Sequence, residues 1–133
     1  FGADAILWAE HASAPLTPAT FRASAGAVEH AKLCRARSLT DALHALRSDG
    51  ITVIGLAGEG QATLDSLDLT QRIAVVVGSE ESGLRKPVRA LCHSIAKLPT
   101  LPPISALNAS VAAGIAAYEV RRQRLAATNA PQS

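Results

Sequence analysis

The chain has 133 residues, of which 48% are hydrophobic and 18% charged, and its formal net charge at pH 7 is +2. This length suits one domain with a buried core, and this composition excludes an intrinsically disordered chain. The longest unbroken apolar runs, such as 73–77, are far shorter than the roughly 20 residues of a membrane-spanning helix, so no membrane segment is predicted. Cys34 and Cys92 indicate no disulfide framework, which fits a reducing cytoplasm.

The first part of the chain predicts a strand, a helix and a second strand. Residues 5–9 form a short apolar run that is typical of a buried strand. Pro15 and Thr17 introduce a helix that we expect to close at Gly26. A second short strand is predicted at 31–34.

A clear amphipathic helix is predicted next, from Ser38 to Gly50. Ser38 and Asp41 have the three-residue spacing of a capping box, with Asp in place of Glu. Leucines at helical spacing supply an inward stripe, and Gly50 suits the residue that follows a helix end.

Two β-branched runs follow, at 51–56 and 73–77. Neither alternates between apolar and polar residues, which is typical of parallel strands that are buried on both faces. The stretch between them, 57–70, is rich in glycine and polar residues and is predicted to be a loop. Strands and helices alternate, so the predicted class is α/β with a parallel sheet.

The last part of the chain predicts a short helix at 87–91, a strand at 94–98 and a Pro-rich turn at 99–103. A long helix is then expected at 107–125, followed by a disordered tail at 126–133. In the long helix, large apolar residues form one stripe and small residues form the other faces, which would allow close packing. The stripe consists of Leu107, Val111, Ile115 and Tyr118.

Ligands of open parallel sheets bind at the carboxyl ends of the strands. Here three such ends carry glycine- or proline-rich loops, at 57–60, 78–83 and 98–103, and glycine lets a backbone approach a ligand closely. Dinucleotide-binding and P-loop signatures are absent, and the His and Cys residues lack zinc-type spacing, so no metal site is predicted.

Two polar residues near these loops admit two interpretations. Glu80 follows a buried strand and is either a solvated loop residue or a functional carboxylate. Asn108 starts the last helix, where it is either a helix cap, a role that Ser105 could share, or part of a site. The nearby cations Arg85 and Lys86 are equally compatible with a solvated helix face and with phosphate binding.

Three segments taken together resemble the second and third motifs of the SpoU family of RNA ribose methyltransferases, within the SPOUT superfamily. They are 78–84, 98–99 and 107–114. Upstream, 23–27 and the helix that ends at Gly50 are similar to the branch that methylates a guanosine of 23S rRNA. The similarity runs from Phe1 to about Arg124.

This resemblance implies a parallel sheet flanked by helices, with a deep trefoil knot in its C-terminal part. It implies one SpoU-type methyltransferase domain at 1–125, incomplete at its N-terminus, and a homodimer that pairs through the final helix. It also implies S-adenosylmethionine as the cofactor, held in the knot. The residues at the family's cofactor-contact positions are Gly78, Leu98 and Leu107, with Ala57 and Gly58 lining the same pocket.

The implied reaction is methyl transfer to a ribose 2′-hydroxyl of rRNA or tRNA, with rRNA the favoured substrate. The family assigns activation of the hydroxyl to an Arg of its first motif, which is absent from this chain. Glu80 and Asn108 remain as the implied polar pair of the reaction centre, and Arg85, Lys86 and Arg89 as residues that contact RNA phosphates.

Two alternatives stay open. The family's usual Ser before Leu107 is Ala106 here, so the chain could be a SpoU homologue that binds cofactor or RNA without turnover. A flavodoxin-like domain with an unrelated ligand is the other alternative.

Overall fold

The computed structural model of the protein describes residues 1–11, 16–104 and 106–130. Six strands and four α-helices alternate along them, and two short 3₁₀ turns lie at Ala27–Glu29 and Leu64–Ser66. In chain order the elements are β1 (Ile6–Ala9), α1 (Pro18–Ala23), β2 (Leu33–Ala36), α2 (Leu39–Ser48), β3 (Thr52–Leu56), β4 (Ala62–Thr63), β5 (Ile73–Val77), α3 (Lys86–Leu91), β6 (Ser94–Lys97) and α4 (Ala109–Asn129).

All strand pairs of these elements are parallel, which confirms the predicted α/β class. The strands form a four-stranded sheet in the order β4-β6-β3-β5 and a separate two-stranded sheet, β1-β2. Strand β3 is central, pairing Thr52 with Ile73 of β5 and Ile54 with Ser94 of β6. The carboxyl ends of β3, β5 and β6 therefore meet at one edge of the sheet.

The core has two parts, one on each face of the four-stranded sheet. On one face, Ile54 packs with Leu64, Leu69 and residues of α4. On the other, Val53 packs with residues of α2 and α3. Because successive side chains of a strand point to opposite faces, β3 is buried on both sides, as its sequence predicts. Strand β5 has a similar sequence but is only partly buried along its length.

Several predicted boundaries are corrected by the structure. The second strand, Leu33–Ala36, lies two residues later than the predicted 31–34. Helix α1 begins after Thr17 and stops at Ala23, short of Gly26, which has a left-handed φ of 79°. Pro15 lies outside the described residues.

The Ser38 cap of α2 is confirmed, since its hydroxyl accepts a hydrogen bond from the Asp41 N–H at 3.2 Å.

The predicted loop at 57–70 is partly wrong. It contains β4 and a 3₁₀ turn, and Leu64 and Leu69 are 1% and 0% exposed. Strand β4 has two residues, too few to show any periodicity in the sequence. It forms because Ala62 and Thr63 pair with β6, a contact between distant parts of the chain.

Helix α4 also differs from its prediction. It runs through Asn129, so the predicted disordered tail at 126–133 is wrong for residues 126–129, while residues 131–133 lie outside the described part. Its packing face is the small one, because Ala116 is buried and Ala112 and Val120 pack beside it. Small side chains let a helix axis approach a sheet closely, so this face covers the core. The large apolar stripe points away and is exposed.

Candidate functional site

Four chain segments meet at the carboxyl edge of the central sheet. They are the loops after β3, β5 and β6 and the start of α4, and they enclose a cavity of about 320 Å³. That volume lies within the range of small-molecule sites, about 300–1,000 Å³. The structure brings together all five residues that the sequence predicts as cofactor contacts, Ala57, Gly58, Gly78, Leu98 and Leu107.

The cavity wall combines apolar side chains with polar groups, and two of its residues are charged. Leu56 and Val77 lie at the strand ends, Leu84 follows the second loop, and Leu98 and Leu107 belong to the last two segments. Its charged residues are carboxylates, Glu59 and Glu80. Apolar surface combined with polar groups is typical of a site for an amphiphilic small molecule.

Gly78 is required by the loop itself. A Cβ atom at this position would lie 2.2 Å from the carbonyl carbon of Gly83 and 2.6 Å from the backbone nitrogen of Leu84. The loop closes because Ser79 and Gly83 exchange backbone hydrogen bonds of 3.2 and 2.9 Å. We expected glycine here to leave room for a ligand; the structure instead shows close contact between two backbone segments.

Asn108 and Glu80 are joined by a hydrogen bond across 28 residues of sequence, in which Asn108 Nδ2 donates to Glu80 Oε1. Asn108 Oδ1 accepts from the N–H groups of Ser110 at 2.9 Å and of Val111 at 3.4 Å, so the predicted helix cap is confirmed. The same side chain therefore begins α4 and positions Glu80 at the exposed rim of the cavity. Ser105, the other predicted cap, lies outside the described residues.

The predicted RNA-contacting cations are in different environments. Arg85 and Lys86 are exposed at the start of α3. Arg89 instead donates to the Glu59 carboxylate, which lines the cavity. A hydrogen bond from the Glu59 backbone N–H, and then the Arg89 guanidinium, lower the pKa of Glu59, so this carboxylate stays charged at neutral pH.

A second and larger cavity, of about 580 Å³, adjoins the first. The two share lining residues of the 78–84 loop, including Gly78 and Gly83. His11, Arg37 and Arg85 also line the second cavity. This cavity is not predicted from the sequence, because no motif places 7–11 and 37–40 beside the 78–84 loop.

Among the described residues there is no group of three or more His, Cys, Asp or Glu side chains placed to bind a metal ion. No helix within these ranges is long and apolar enough to cross a membrane.

The chain matches a known protein family. A family model described as the SpoU rRNA Methylase family matches residues 1–118. The chain belongs to this family. The resemblance stated from the motifs at 78–84, 98–99 and 107–114 is thereby confirmed.

Relatives and solved structures agree with this assignment. The SpoU chain is 42% identical over 124 residues to an uncharacterised tRNA/rRNA methyltransferase of Mycobacterium leprae, covering 93% of this chain and 40% of that protein. It is similar, with a TM-score of 0.84 and 31% identity, to the SpoU methyltransferase AviRb of Streptomyces viridochromogenes in complex with AdoMet, covering 94% of this chain and 51% of AviRb. A structure described as an RNA 2′-O ribose methyltransferase aligns with a TM-score of 0.81 and 27% identity, over 93% of this chain and 47% of that one. The chain thus spans about half or less of the length of these proteins.

Proposed function

We propose that this chain is the cofactor-binding part of an S-adenosylmethionine-dependent enzyme that methylates a ribose 2′-hydroxyl of RNA. The proposal rests on one observation: Ala57, Gly58, Gly78, Leu98 and Leu107 line the same cavity. Two similar structures support it, since AviRb is described in complex with AdoMet and another is described as a ribose methyltransferase.

The residues of the cavity fit such a cofactor. Leu56, Leu84, Leu98 and Leu107 provide apolar surface for an adenine ring. Glu80 adds a carboxylate at the rim, where negative charge favours a cationic ligand. When bound, S-adenosylmethionine supplies a methyl group on a sulfonium, whose sulfur becomes a neutral thioether as the ribose oxygen bonds to the methyl carbon.

The residues of this chain position the parts of the reaction centre. A ribose hydroxyl is a poor nucleophile at neutral pH, so its proton must be removed or polarised as it attacks. The family resemblance gives that task to an Arg outside these 133 residues. Here Asn108 holds Glu80 by a hydrogen bond and also fixes the first turn of α4. This pair keeps the 78–84 loop and the α4 start in one arrangement around the reaction centre.

RNA is the proposed substrate, rRNA rather than tRNA, and the cytoplasm is the proposed location. Arg85 and Lys86 are exposed cations on the helix that follows the 78–84 loop. Arg85 and Arg37 line the cavity adjoining the cofactor site, so phosphates could be held beside the methyl donor.

We also propose that the protein is a homodimer that pairs through α4. Val111, Ile115 and Tyr118 on this helix are 51%, 42% and 54% exposed, and Leu101 and Ile104 in the preceding turn are 82% and 57% exposed. An apolar surface of this kind is typical of a protein interface. Because it adjoins the cofactor cavity through Leu107, pairing here would place two sites near a common two-fold axis.

We further propose that the C-terminal part of the chain forms a trefoil knot. Strand β6 lies between β3 and β4, and the chain after it returns so that α4 packs against β5. This return past the 78–84 loop supports threading of the C-terminal segment.

The test combines the full-length natural protein, tritiated S-adenosylmethionine, and undermodified rRNA and tRNA in parallel. We expect label on ribose 2′-oxygens, found as alkali-resistant dinucleotides after hydrolysis. Label on a base would contradict the ribose assignment. Titration with S-adenosylhomocysteine is performed first, and absence of binding would instead favour an unrelated ligand.

An inactive homologue is the second candidate, and one observation favours it. Ala106 lines the cofactor cavity and offers no hydroxyl where the family resemblance leads us to expect a Ser. Tight cofactor binding without label on any RNA would support this candidate. Appearance of activity in Ala106→Ser would then identify the missing hydroxyl as the cause.

A further inference from the structure

Arg89 contacts the tip of a loop that lines the candidate cofactor cavity. The loop after β3, 57–60, contributes Ala57, Gly58 and Glu59 to the wall of that cavity. Arg89 lies on α3 and is not part of the wall, but its Nη1 group donates to Oε1 of Glu59. An effect of Arg89 on a ligand in the cavity would therefore pass through this loop.

The two ends of the loop are fixed by the backbone of β6. The Ala57 N–H donates to the Ala96 carbonyl at 3.0 Å, and the Gly60 N–H donates to the Ala57 carbonyl at 3.0 Å. A Cβ atom on Gly60 would lie 2.5 Å from the carbonyl carbon of Ala96, so this buried glycine packs directly against the strand. Gly58 and Glu59 between these ends are exposed. The loop therefore has anchored ends and an exposed tip.

The ion pair with Arg89 is what holds this tip. Among the described residues, it is the one side-chain hydrogen bond or ion pair that 57–60 makes. Gly58, next to Glu59, has the widest choice of backbone conformations of any residue type. Without the ion pair, the tip would adopt several conformations, and each would give the cavity a different wall.

Helix α3 is a rigid support for Arg89. The preceding residue, Val88, is 8% exposed and packs in the core against β3 and α2. The end of the helix is also held by α2, because Arg47 Nη1 donates to the Leu91 carbonyl at 2.5 Å. Arg89 therefore reaches the loop from an element whose position is fixed by the core.

The ion pair is intact at neutral pH but is open to solvent. A hydrogen bond from the Glu59 backbone N–H, and then the Arg89 guanidinium, lower the pKa of Glu59, so the carboxylate loses its charge only well below neutral pH. The side chains of Glu59 and Arg89 are 67% and 38% exposed. Salt screens an exposed pair of this kind, and such a pair contributes little to the stability of a fold.

We propose that Arg89 is a positioning residue for the cofactor, which acts by holding Glu59 and with it the 57–60 loop in the conformation that binds S-adenosylmethionine. This inference rests on the proposed function and gives Arg89 a role other than contact with RNA phosphates. A loop that already has its bound conformation loses less conformational entropy when the ligand binds. The ion pair thus raises the affinity for the cofactor although Arg89 does not touch it.

Calorimetric titration of the full-length natural protein with S-adenosylhomocysteine tests the proposal. Arg89→Ala should raise the Kd about fivefold, because the loop must be ordered on binding, with the melting temperature within about 1 °C of wild type. Arg89→Lys keeps a cation within reach of Glu59 and should restore the Kd to within about twofold of wild type. Arg72→Ala is the matched control, since it removes an exposed ion pair with Asp49 outside both cavities.

Salt gives a second readout, which a purely structural role of Arg89 would not produce. The wild-type Kd should rise about two- to threefold between about 0.05 and 1 M salt, because salt weakens the ion pair. The Kd of Arg89→Ala should not depend on salt in this range. In methyl transfer, the KM for S-adenosylmethionine should rise about fivefold in Arg89→Ala while kcat stays unchanged, since the variant affects binding and not the reaction centre.

A double-mutant cycle shows whether Arg89 acts through Glu59. Glu59→Gln removes the charge that Arg89 holds, so the double variant should have a Kd within about twofold of Arg89→Ala alone. Effects that multiply in the double variant would show that the two residues act independently and would overturn the proposal. A fall in kcat with an unchanged KM would overturn it as well.

Failure of this inference differs from failure of the proposed function. Wild-type protein that does not bind S-adenosylhomocysteine would contradict the cofactor assignment and the role of Arg89 together. Binding by the wild type with an unchanged Kd in Arg89→Ala would overturn the role of Arg89 alone. If that unchanged Kd came with a salt slope of RNA binding reduced by about 1, Arg89 would be a phosphate contact instead.

Discussion

At the scale of single residues, the site depends on side chains whose structural and functional roles coincide. Asn108 caps α4 through its Oδ1 atom and holds Glu80 through its Nδ2 group. Because one side chain does both, a substitution to Ala would change helix stability and the position of Glu80 together. Separating the two roles requires a residue that caps but cannot donate.

Asn108→Asp is that substitution, since Asp is as good a helix cap as Asn. It removes the donor to Glu80 and places a second carboxylate beside it, so the loop should move. We expect methyl transfer to fall by about 100-fold, as small displacements at a reaction centre do, with the melting temperature nearly unchanged. RNA affinity, measured by filter binding, should stay within about twofold because neither residue is proposed to hold phosphate. Ser110→Ala is the control, and equal rates for Asn108→Asp and wild type would remove the pair from the reaction centre.

Gly78 provides a second residue-scale prediction. Gly78→Ala places a Cβ 2.2 Å from the Gly83 carbonyl carbon, so the loop must rearrange. The affinity for S-adenosylhomocysteine, measured by calorimetry, should fall at least about tenfold, a free energy of about 1.4 kcal/mol. Gly114→Ala is the matched control, because a Cβ there meets nothing within 4 Å and Ala favours a helix over Gly by up to about 1 kcal/mol. Unchanged affinity in Gly78→Ala would show that the loop tolerates a side chain and that cofactor binding does not depend on its conformation.

At the scale of elements, α4 uses its two faces for different partners. Its small face, with Ala112 and Ala116, covers the sheet. Gln123 and Arg124 bind the helix to the segment between β4 and β5. Gln123 accepts from the Leu69 N–H at 3.0 Å, and Arg124 donates to the Gln71 carbonyl at 2.8 Å. On the large apolar face, Tyr118 contacts Phe1 edge-to-face, with the ring centroids 5.8 Å apart. Val111 and Ile115 remain exposed, and the proposed dimer would cover them.

Ile115→Arg tests the dimer. A charge in the centre of an apolar interface should weaken association by about 30-fold or more, equivalent to about 2 kcal/mol. Sedimentation equilibrium of the full-length protein should then shift from dimer to monomer. Ala127→Arg is the control, because Ala127 is exposed and lies on the opposite side of α4 from Tyr118. A wild-type protein that is monomeric at high concentration would contradict the dimer.

At the scale of the whole molecule, the distribution of the cations indicates where RNA phosphates bind, which the net charge of +2 does not. Arg37 and Arg85 come from distant parts of the chain and line the same cavity. Arg89 lies near Arg85 in sequence but is neutralised by Glu59. Phosphate binding should therefore depend on the exposed cations and less on Arg89.

Salt dependence measures this difference. Affinity for RNA should fall with salt, and Arg85→Ala and Lys86→Ala should each reduce the slope of log K against log salt by about 1. Arg89→Ala should reduce the slope less, because its charge is already paired with Glu59. Arg72→Ala is the control, since Arg72 pairs with Asp49 at 2.8 Å outside both cavities. Equal slopes for wild type and Arg85→Ala would place the RNA elsewhere.

The sequence by itself determined the class of the fold, the long elements and five of the residues that line the candidate site, which are Ala57, Gly58, Gly78, Leu98 and Leu107. Local rules of periodicity and capping, which need no distant partner, predict helix α2, the apolar runs of β3 and β5, and the Asn108 cap. The residues of the site loops were predicted because the spacing of the motifs at 78–84, 98–99 and 107–114 resembles that of a known family.

Only the tertiary structure decided the rest, because it depends on contacts between distant residues. Two residues cannot show periodicity, so β4 appears only when it pairs with β6. The buried face of α4 follows from how closely the helix approaches the sheet, which favours alanines over the larger stripe. The pairings of Glu59 with Arg89 and of Glu80 with Asn108 join residues that are 30 and 28 positions apart. Sequence separation carries no information about such distances, and only folding brings these side chains together.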